Sequence, residues 1–208
     1  MNKILTLFCL FIISFSDAYS QQTSSNKASK TKTSILFIGN SLTYTNNLPE
    51  LVKKTAKQQG IKIDYKMIAF PDYSILDHWN EGEIQKLIAT KNYDFVIIQQ
   101  GPSSQINGRD MLFEYGKKYS SICKVNNAKL CYFTVWPSLN YYQSFDNVIK
   151  NYKDAALFNN AILLPVGHVW KDYFESTGNF QYYGSDGFHP SLEGSKIAAK
   201  TIVEYLFK

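Results

Sequence analysis

Metal-ligating side chains are scarce in this sequence: 208 residues hold three histidines and three cysteines, and none of them has a partner at the short spacings that ligate zinc. No metal centre is expected. Concentrated basic stretches are missing as well. The formal charge of +5 is spread along the chain, which suits solubility and excludes the dense cationic patch of a nucleic-acid binder. No internal repeat and no second linker divides the sequence, so a single domain with a sizeable core is expected.

Long apolar runs are absent too. The run from Ile4 to Ile13 is too short to span a bilayer, which takes about 20 apolar residues. Lys3 precedes it and Ala18-Tyr19-Ser20 follows it, small residues of the kind a signal peptidase reads. Residues 1–20 therefore read as a cleaved export leader, with no stable membrane insertion afterwards and a periplasmic or secreted destination. A lipoprotein anchor does not fit, because Cys9 follows Leu7 and Phe8 inside the apolar run. Lys3 and Asp17 cancel, so cleavage leaves the net charge unchanged. Residues 21–33 contain no large apolar side chain and cannot offset the entropy of ordering, so they read as a tether. The folded unit is expected over 34–208. Its two cysteines, Cys123 and Cys131, are open to two readings: a disulfide, which export permits, or two small buried thiols.

What the domain does contain is alternation. Strand-length apolar runs recur at Ser34–Gly39, Ile61–Phe70, Tyr93–Gln99, Lys129–Trp136 and Ala161–Val166, separated by segments of helical spacing. Asn46 or Asn47 suits the cap of a helix carrying Leu48, Leu51, Val52 and Ala56. Ser74 suits the cap of a second, through Leu76, Trp79, Ile84, Leu87 and Ile88, weakened at Gly82. Further helices are expected over about 110–125 and 145–159, and a last one from Ser191 with Ile197, Ala198, Ile202 and Leu206 inward. This pattern predicts a three-layer α/β/α flavodoxin-like sandwich on a five-stranded parallel sheet. Ligands of such folds bind beyond the carboxyl ends of the strands.

Chemistry-bearing residues fall at those ends. Gly39-Asn40-Ser41-Leu42 follows the first strand, where a glycine lets the backbone turn sharply and a serine can project. The same residues also fit a plain strand-to-helix turn capped by Ser41 or Thr43. A serine nucleophile needs a base within hydrogen-bond reach, and His189 is the best placed of the three histidines. It lies three residues after Asp186 in Asp186-Gly187-Phe188-His189-Pro190, close enough for the carboxylate to orient one ring nitrogen while the other faces a hydroxyl. His78, beside Trp79, and His168, before Trp170, read as packing or surface residues.

Together, Gly39-Asn40-Ser41-Leu42 and Asp186-x-x-His189-Pro190 resemble the first and last blocks of the SGNH/GDSL hydrolase superfamily, in the same order and across the whole folded unit. The resemblance implies a cofactor-free esterase, lipase, thioesterase or carbohydrate deacetylase with Ser41, Asp186 and His189 as the triad. It also implies an oxyanion hole built from the serine N–H, a glycine N–H in a second block and an asparagine side chain in a third. Here the chain departs from the pattern. Asn40 replaces the usual aspartate, Asp72 stands where the glycine is expected, and Ser103 stands in the asparagine's place. Gln100, or Gln99, offers a comparable side-chain amide, and Gln100 is the favoured donor.

Seven aromatic residues in or near loops, Tyr73, Trp79, Trp136, Tyr141, Tyr142, Tyr182 and Tyr183, suit stacking on sugar rings, and no long apolar lid suggests a dedicated lipase. A glycan or small-molecule ester is thus the expected substrate, and O-deacetylation of carbohydrate the expected reaction, ahead of lipid or thioester hydrolysis. The rival reading is an inactive carbohydrate-binding protein on the same fold, which the substitutions at Asp72 and Ser103 favour.

Overall fold

The computed structural model describes residues 32–208. The expected leader, 1–20, and nearly all of the tether lie outside the described residues. Pairing begins at Thr33, one residue before the expected start of the folded unit.

Strands β1 (Thr33–Gly39), β2 (Ile63–Ala69), β3 (Phe95–Ile98), β4 (Lys129–Phe133) and β5 (Ile162–Leu164) form one parallel sheet in the order β2-β1-β3-β4-β5. This is the flavodoxin-like order, with its switch point between β1 and β3. Side-chain patterning explains the placement. Ile35 to Ile38 on β1 and Phe95 to Ile98 on β3 are all buried, as unbroken apolar runs must be when both faces of a strand are covered. On β2, buried Ile63 is followed by exposed Asp64, which suits an edge.

The helices are α1 (Ser41–Tyr44), α2 (Leu48–Gln58), α3 (Ile75–Glu81), α4 (Glu83–Thr90), α5 (Ile106–Val125), α6 (Phe145–Phe158), α7 (Val166–Thr177) and α8 (Leu192–Leu206). Helices α2, α7 and α8 pack together on one face of the sheet, and α3 to α6 on the other, as right-handed crossovers require for this strand order.

Several expectations are met in detail. Ser74 caps α3 in a reciprocal capping box with Asp77, and Ser191 caps α8 by accepting from the Gly194 N–H. Others need correcting. Gly82 adopts a left-handed φ of 75° and divides the expected second helix into α3 and α4. Asn47 stands at the start of α2 but its side chain makes no capping bond. The strand expected over Ala161–Val166 is shorter, Ile162–Leu164, and Val166 instead begins α7, where Val166, Trp170 and Phe174 bury one helical stripe. Both cysteines are buried free thiols. Burial pushes the Cys123 thiol up to about 12 and that of Cys131 higher still, so both stay protonated and unreactive near neutral pH.

Candidate active site

Gly39 ends β1, and its backbone is not in the left-handed region. Its lack of a side chain is needed for space rather than for a sharp turn: a Cβ there would collide with Gln99 Oε1 and Thr43 Oγ1. Those two atoms belong to a buried network. The Asn40 N–H donates to Gln99 Oε1 at 2.9 Å, and Gln99 Nε2 returns a bond to Asn40 Oδ1 at 3.0 Å. Thr43 Oγ1 donates to Gln99 Oε1 at 2.7 Å, and Gln99 Nε2 also reaches the Gln100 carbonyl at 2.7 Å. Asn40 Oδ1 caps α1 through the Leu42 N–H, while Nδ2 donates to the Tyr73 carbonyl at 3.0 Å.

Three chain segments that are far apart in sequence are locked together by these bonds. They also account for Asn40: an aspartate could accept from Leu42 and Gln99, but an ionised carboxylate cannot donate to the Tyr73 carbonyl. Gln99 is fully used as a clamp.

With Asn40 capping α1, Ser41 is left as its first residue, half-buried. Neither its Oγ nor its N–H has a hydrogen-bond partner among the described residues. At the far end of the chain, Asp186 Oδ2 meets His189 Nδ1 at 2.6 Å, and Oδ1 accepts the Phe188 and His189 N–H groups at 2.9 Å each. The bond from His189, then that from Phe188, holds the Asp186 carboxyl below the usual carboxylate range. An ionised carboxylate only accepts, so Nδ1 carries the proton and Nε2 of the neutral ring is left as an acceptor.

The histidine loop is held from several sides. Trp136 Nε1 donates to the Phe188 carbonyl at 2.9 Å, the Leu139 N–H to Gly187 O at 2.8 Å, and the Gly184 N–H to His189 O at 2.7 Å. Asn46, expected as a helix cap, instead donates through Nδ2 to Pro190 O and Ser195 Oγ at 3.0 Å each. This ties the segment after the serine to the segment after the histidine. Ser41, Asp72, Gln100 and Ser103 line one pocket of about 270 Å³, and Phe188, the neighbour of His189, closes its wall. No hydrogen bond joins Ser41 Oγ to the His189 ring among the described residues. Catalytic hydrogen bonds commonly tighten only when substrate binds.

Asp72 has a left-handed φ of 59°, the conformation that favours glycine, which matches the glycine expected there from the resemblance. Its side chain is exposed, and its N–H is unengaged among the described residues. Gln100 differs from expectation. Its Nε2 donates to Ser103 Oγ at 2.7 Å and to the Gly108 carbonyl at 3.1 Å, so both N–H bonds are committed inside the protein. Its Oε1 is buried without a partner. The Ser103 hydroxyl in turn donates to Gly101 O at 3.0 Å. The unengaged donors at the pocket include the backbone N–H groups of Ser41 and Asp72.

His78 is buried and donates from Nε2 to the Gly39 carbonyl at 2.7 Å, bracing the strand end that carries Asn40 and Ser41. Its pKa is lowered by burial, against the opposing effects of the Gly39 bond and of Asp77, Glu81 and Glu83. A histidine whose folded pKa lies below the unfolded value of about 6.5 contributes stability that is complete above that pH and is lost as the pH falls below it. Acidification from pH 7.5 to 5.5 should therefore lower the melting temperature of the native protein more than that of His78→Gln, whose amide can donate without titrating. Equal losses in the two proteins would contradict this role. His168, by contrast, is exposed on α7 and pairs with Asp172 at 3.6 Å.

Architecture and pocket together define a parallel α/β domain with an unpartnered serine at the end of β1, beside the switch point of its sheet, and a carboxylate-held histidine in a loop that borders the same pocket through Phe188. Solved structures with this architecture include a protein assigned to the SGNH hydrolases from Slackia heliotrinireducens, 21% identical with a TM-score of 0.72, covering 85% of this chain and 100% of that one. The lipase/acylhydrolase from Enterococcus faecalis is 16% identical with a TM-score of 0.67, covering 83% and 94%. An acetylxylan esterase from Geobacillus stearothermophilus, solved as a catalytic mutant, is 16% identical with a TM-score of 0.64, covering 86% and 96%. No protein-family model matches the chain, and no curated protein sequence does. The chain has the fold of these SGNH hydrolases, at 16–21% sequence identity.

Proposed function

We propose that this protein is a serine ester hydrolase that removes short acyl groups, acetyl above all, from carbohydrate. The observation that carries the reading is the pocket bordered by the free Ser41 hydroxyl and by the loop in which Asp186 orients His189. In this mechanism His189 Nε2 takes the Ser41 proton as Oγ attacks the ester carbonyl, and the Ser41 and Asp72 N–H groups stabilise the oxyanion. Asp186 fixes the ring and stabilises the imidazolium. The C–O bond to the alcohol breaks as His189 returns the proton to the departing oxygen; water, activated by the same ring, then releases the acid.

A pocket of about 270 Å³ walled by Tyr73, Pro102, Met111 and Phe188 suits a small acyl group, and the fold relatives include an acetylxylan esterase. Export beyond the cytoplasm is part of the proposal and rests on residues 1–20. No helix among the described residues is long and apolar enough to cross a membrane.

A second reading, a catalytically silent glycan binder, is favoured by one observation: the Gln100 amide and the Ser103 hydroxyl are both committed internally. A missing side-chain donor of this kind costs roughly 10²- to 10³-fold in turnover. A fluorophosphonate probe separates the two readings. Peptide mapping of the labelled protein should place the phosphonyl group on Ser41, alongside turnover of a small activated acetyl ester. Neither labelling nor turnover is the outcome that favours the binder.

A further inference from the structure

We infer that a second cleft, beside the pocket that holds Ser41, is the subsite for the alcohol portion of the substrate and takes a neutral pyranose ring stacked on Tyr141. The inference rests on the ester-hydrolase reading and names where its sugar sits. The cleft has a volume of about 360 Å³ and shares Pro102 and Phe188 with the serine pocket, so the two are adjacent. Its remaining walls are Ser104, Pro137, Ser138, Tyr141 and Ser144.

Exposure singles out Tyr141 from the aromatic residues near the site. Trp136 is fully buried, and Tyr182 and Tyr183 are 6% exposed. Tyr142 is half-buried against Phe145 and Phe180, Tyr73 is bonded to Glu81, and Trp79 packs on Tyr119. Tyr141 is 66% exposed, and its ring makes none of the aromatic contacts that the others make. An exposed aromatic face at the edge of a cleft offers a flat apolar surface on which a sugar ring can stack, with the phenol hydroxyl as a polar handle.

The backbone that carries that face is held in place. The Tyr141 N–H donates to Ser138 O at 2.9 Å, and Ser144 Oγ donates to the Tyr141 carbonyl at 2.8 Å. The same segment is fastened to the histidine loop through Leu139, whose N–H bonds Gly187 O at 2.8 Å. The hydroxyls of Ser104 and Ser138 have no partner among the described residues, so they can bond ring hydroxyls. No charged residue lines the cleft, which fits a neutral sugar rather than an acidic one.

Direction agrees with the chemistry. When the C–O bond breaks, the proton taken from Ser41 must pass from His189 to the departing sugar oxygen, so the alcohol must leave on the side of the histidine loop. The cleft lies on that side: Phe188 is in its wall, and its Ser138 adjoins Leu139, whose N–H bonds the histidine loop at Gly187 O, while Met111 and Asp72 belong only to the serine pocket.

The test compares native protein, Tyr141→Ala and Tyr141→Trp on an acetylated xylo-oligosaccharide and on a small activated acetyl ester. The ratio of kcat/KM on the oligosaccharide to that on the small ester should fall at least tenfold in Tyr141→Ala, chiefly through KM, and recover in Tyr141→Trp. A ratio equal to the native one overturns the inference. Affinity for the unacetylated oligosaccharide, measured by titration calorimetry, decides the matter independently of turnover. A tenfold or greater loss in Tyr141→Ala supports the subsite; equal affinity, or no binding by the native protein, overturns it. Failure to cleave even the small ester would count against the hydrolase reading alone.

Discussion

Replacement of Ser41 by alanine should reduce ester turnover by about 10⁴- to 10⁶-fold, the scale seen when a nucleophilic serine is removed, without changing the melting temperature. The two halves of that expectation have separate origins. Loss of activity follows from deleting the only hydroxyl placed to attack in the proposed mechanism. Preserved stability follows from the structure: Ser41 Oγ makes no hydrogen bond among the described residues and is half-buried, so its removal leaves no buried partner unsatisfied. Asn40, not Ser41, caps α1. Initial-rate assays on a small acetyl ester, with thermal melts of the same preparations, give the answer. Residual activity near the native level would end the assignment of Ser41.

The other large effect is expected two residues earlier. Gly39→Ala puts a Cβ against Gln99 Oε1 and Thr43 Oγ1, and both side chains are buried. Neither can withdraw freely, because Gln99 is bonded to Asn40, Thr43 and Gln100. Relief requires breaking at least one buried hydrogen bond. Overpacking costs about 1–3 kcal/mol and an unsatisfied buried polar group about 1–3 more, so a loss of roughly 2–6 kcal/mol should appear as a lower urea midpoint at unchanged slope. Activity should fall further than folded fraction alone explains, since the same bonds set the position of Ser41. A midpoint within experimental error of the native value would contradict the account of Gly39 as a space requirement.

The parts of this molecule written in local pattern were readable from sequence. Unbroken apolar runs such as Ile35-Leu36-Phe37-Ile38 announce doubly covered strands, and Ser74 with Asp77 announces a capped helix. Asp186 and His189 are three residues apart, so their pairing is a local matter and needed no knowledge of the fold. Long-range partners were not readable. Gln99 and Gln100 are adjacent polar residues at a strand end, and nothing in their neighbourhood says that one clamps Asn40 and Thr43 while the other is held by Ser103 and Gly108. Asn46 read as a cap because its actual acceptor, the Pro190 carbonyl, is 144 residues away. Likewise, seven aromatic residues fall in or near loops by sequence, and only burial shows which of them faces water beside the site.

That bond from Asn46 to Pro190 bears on timing. Synthesis runs from Ser41 towards His189, so on the proposed mechanism a ribosome must deliver the chain through residue 189 before any ester can be cleaved. Every shorter nascent product carries an attacking group with nothing to deprotonate it. On that mechanism, clipping the chain ahead of residue 186 would silence the protein while leaving its serine intact.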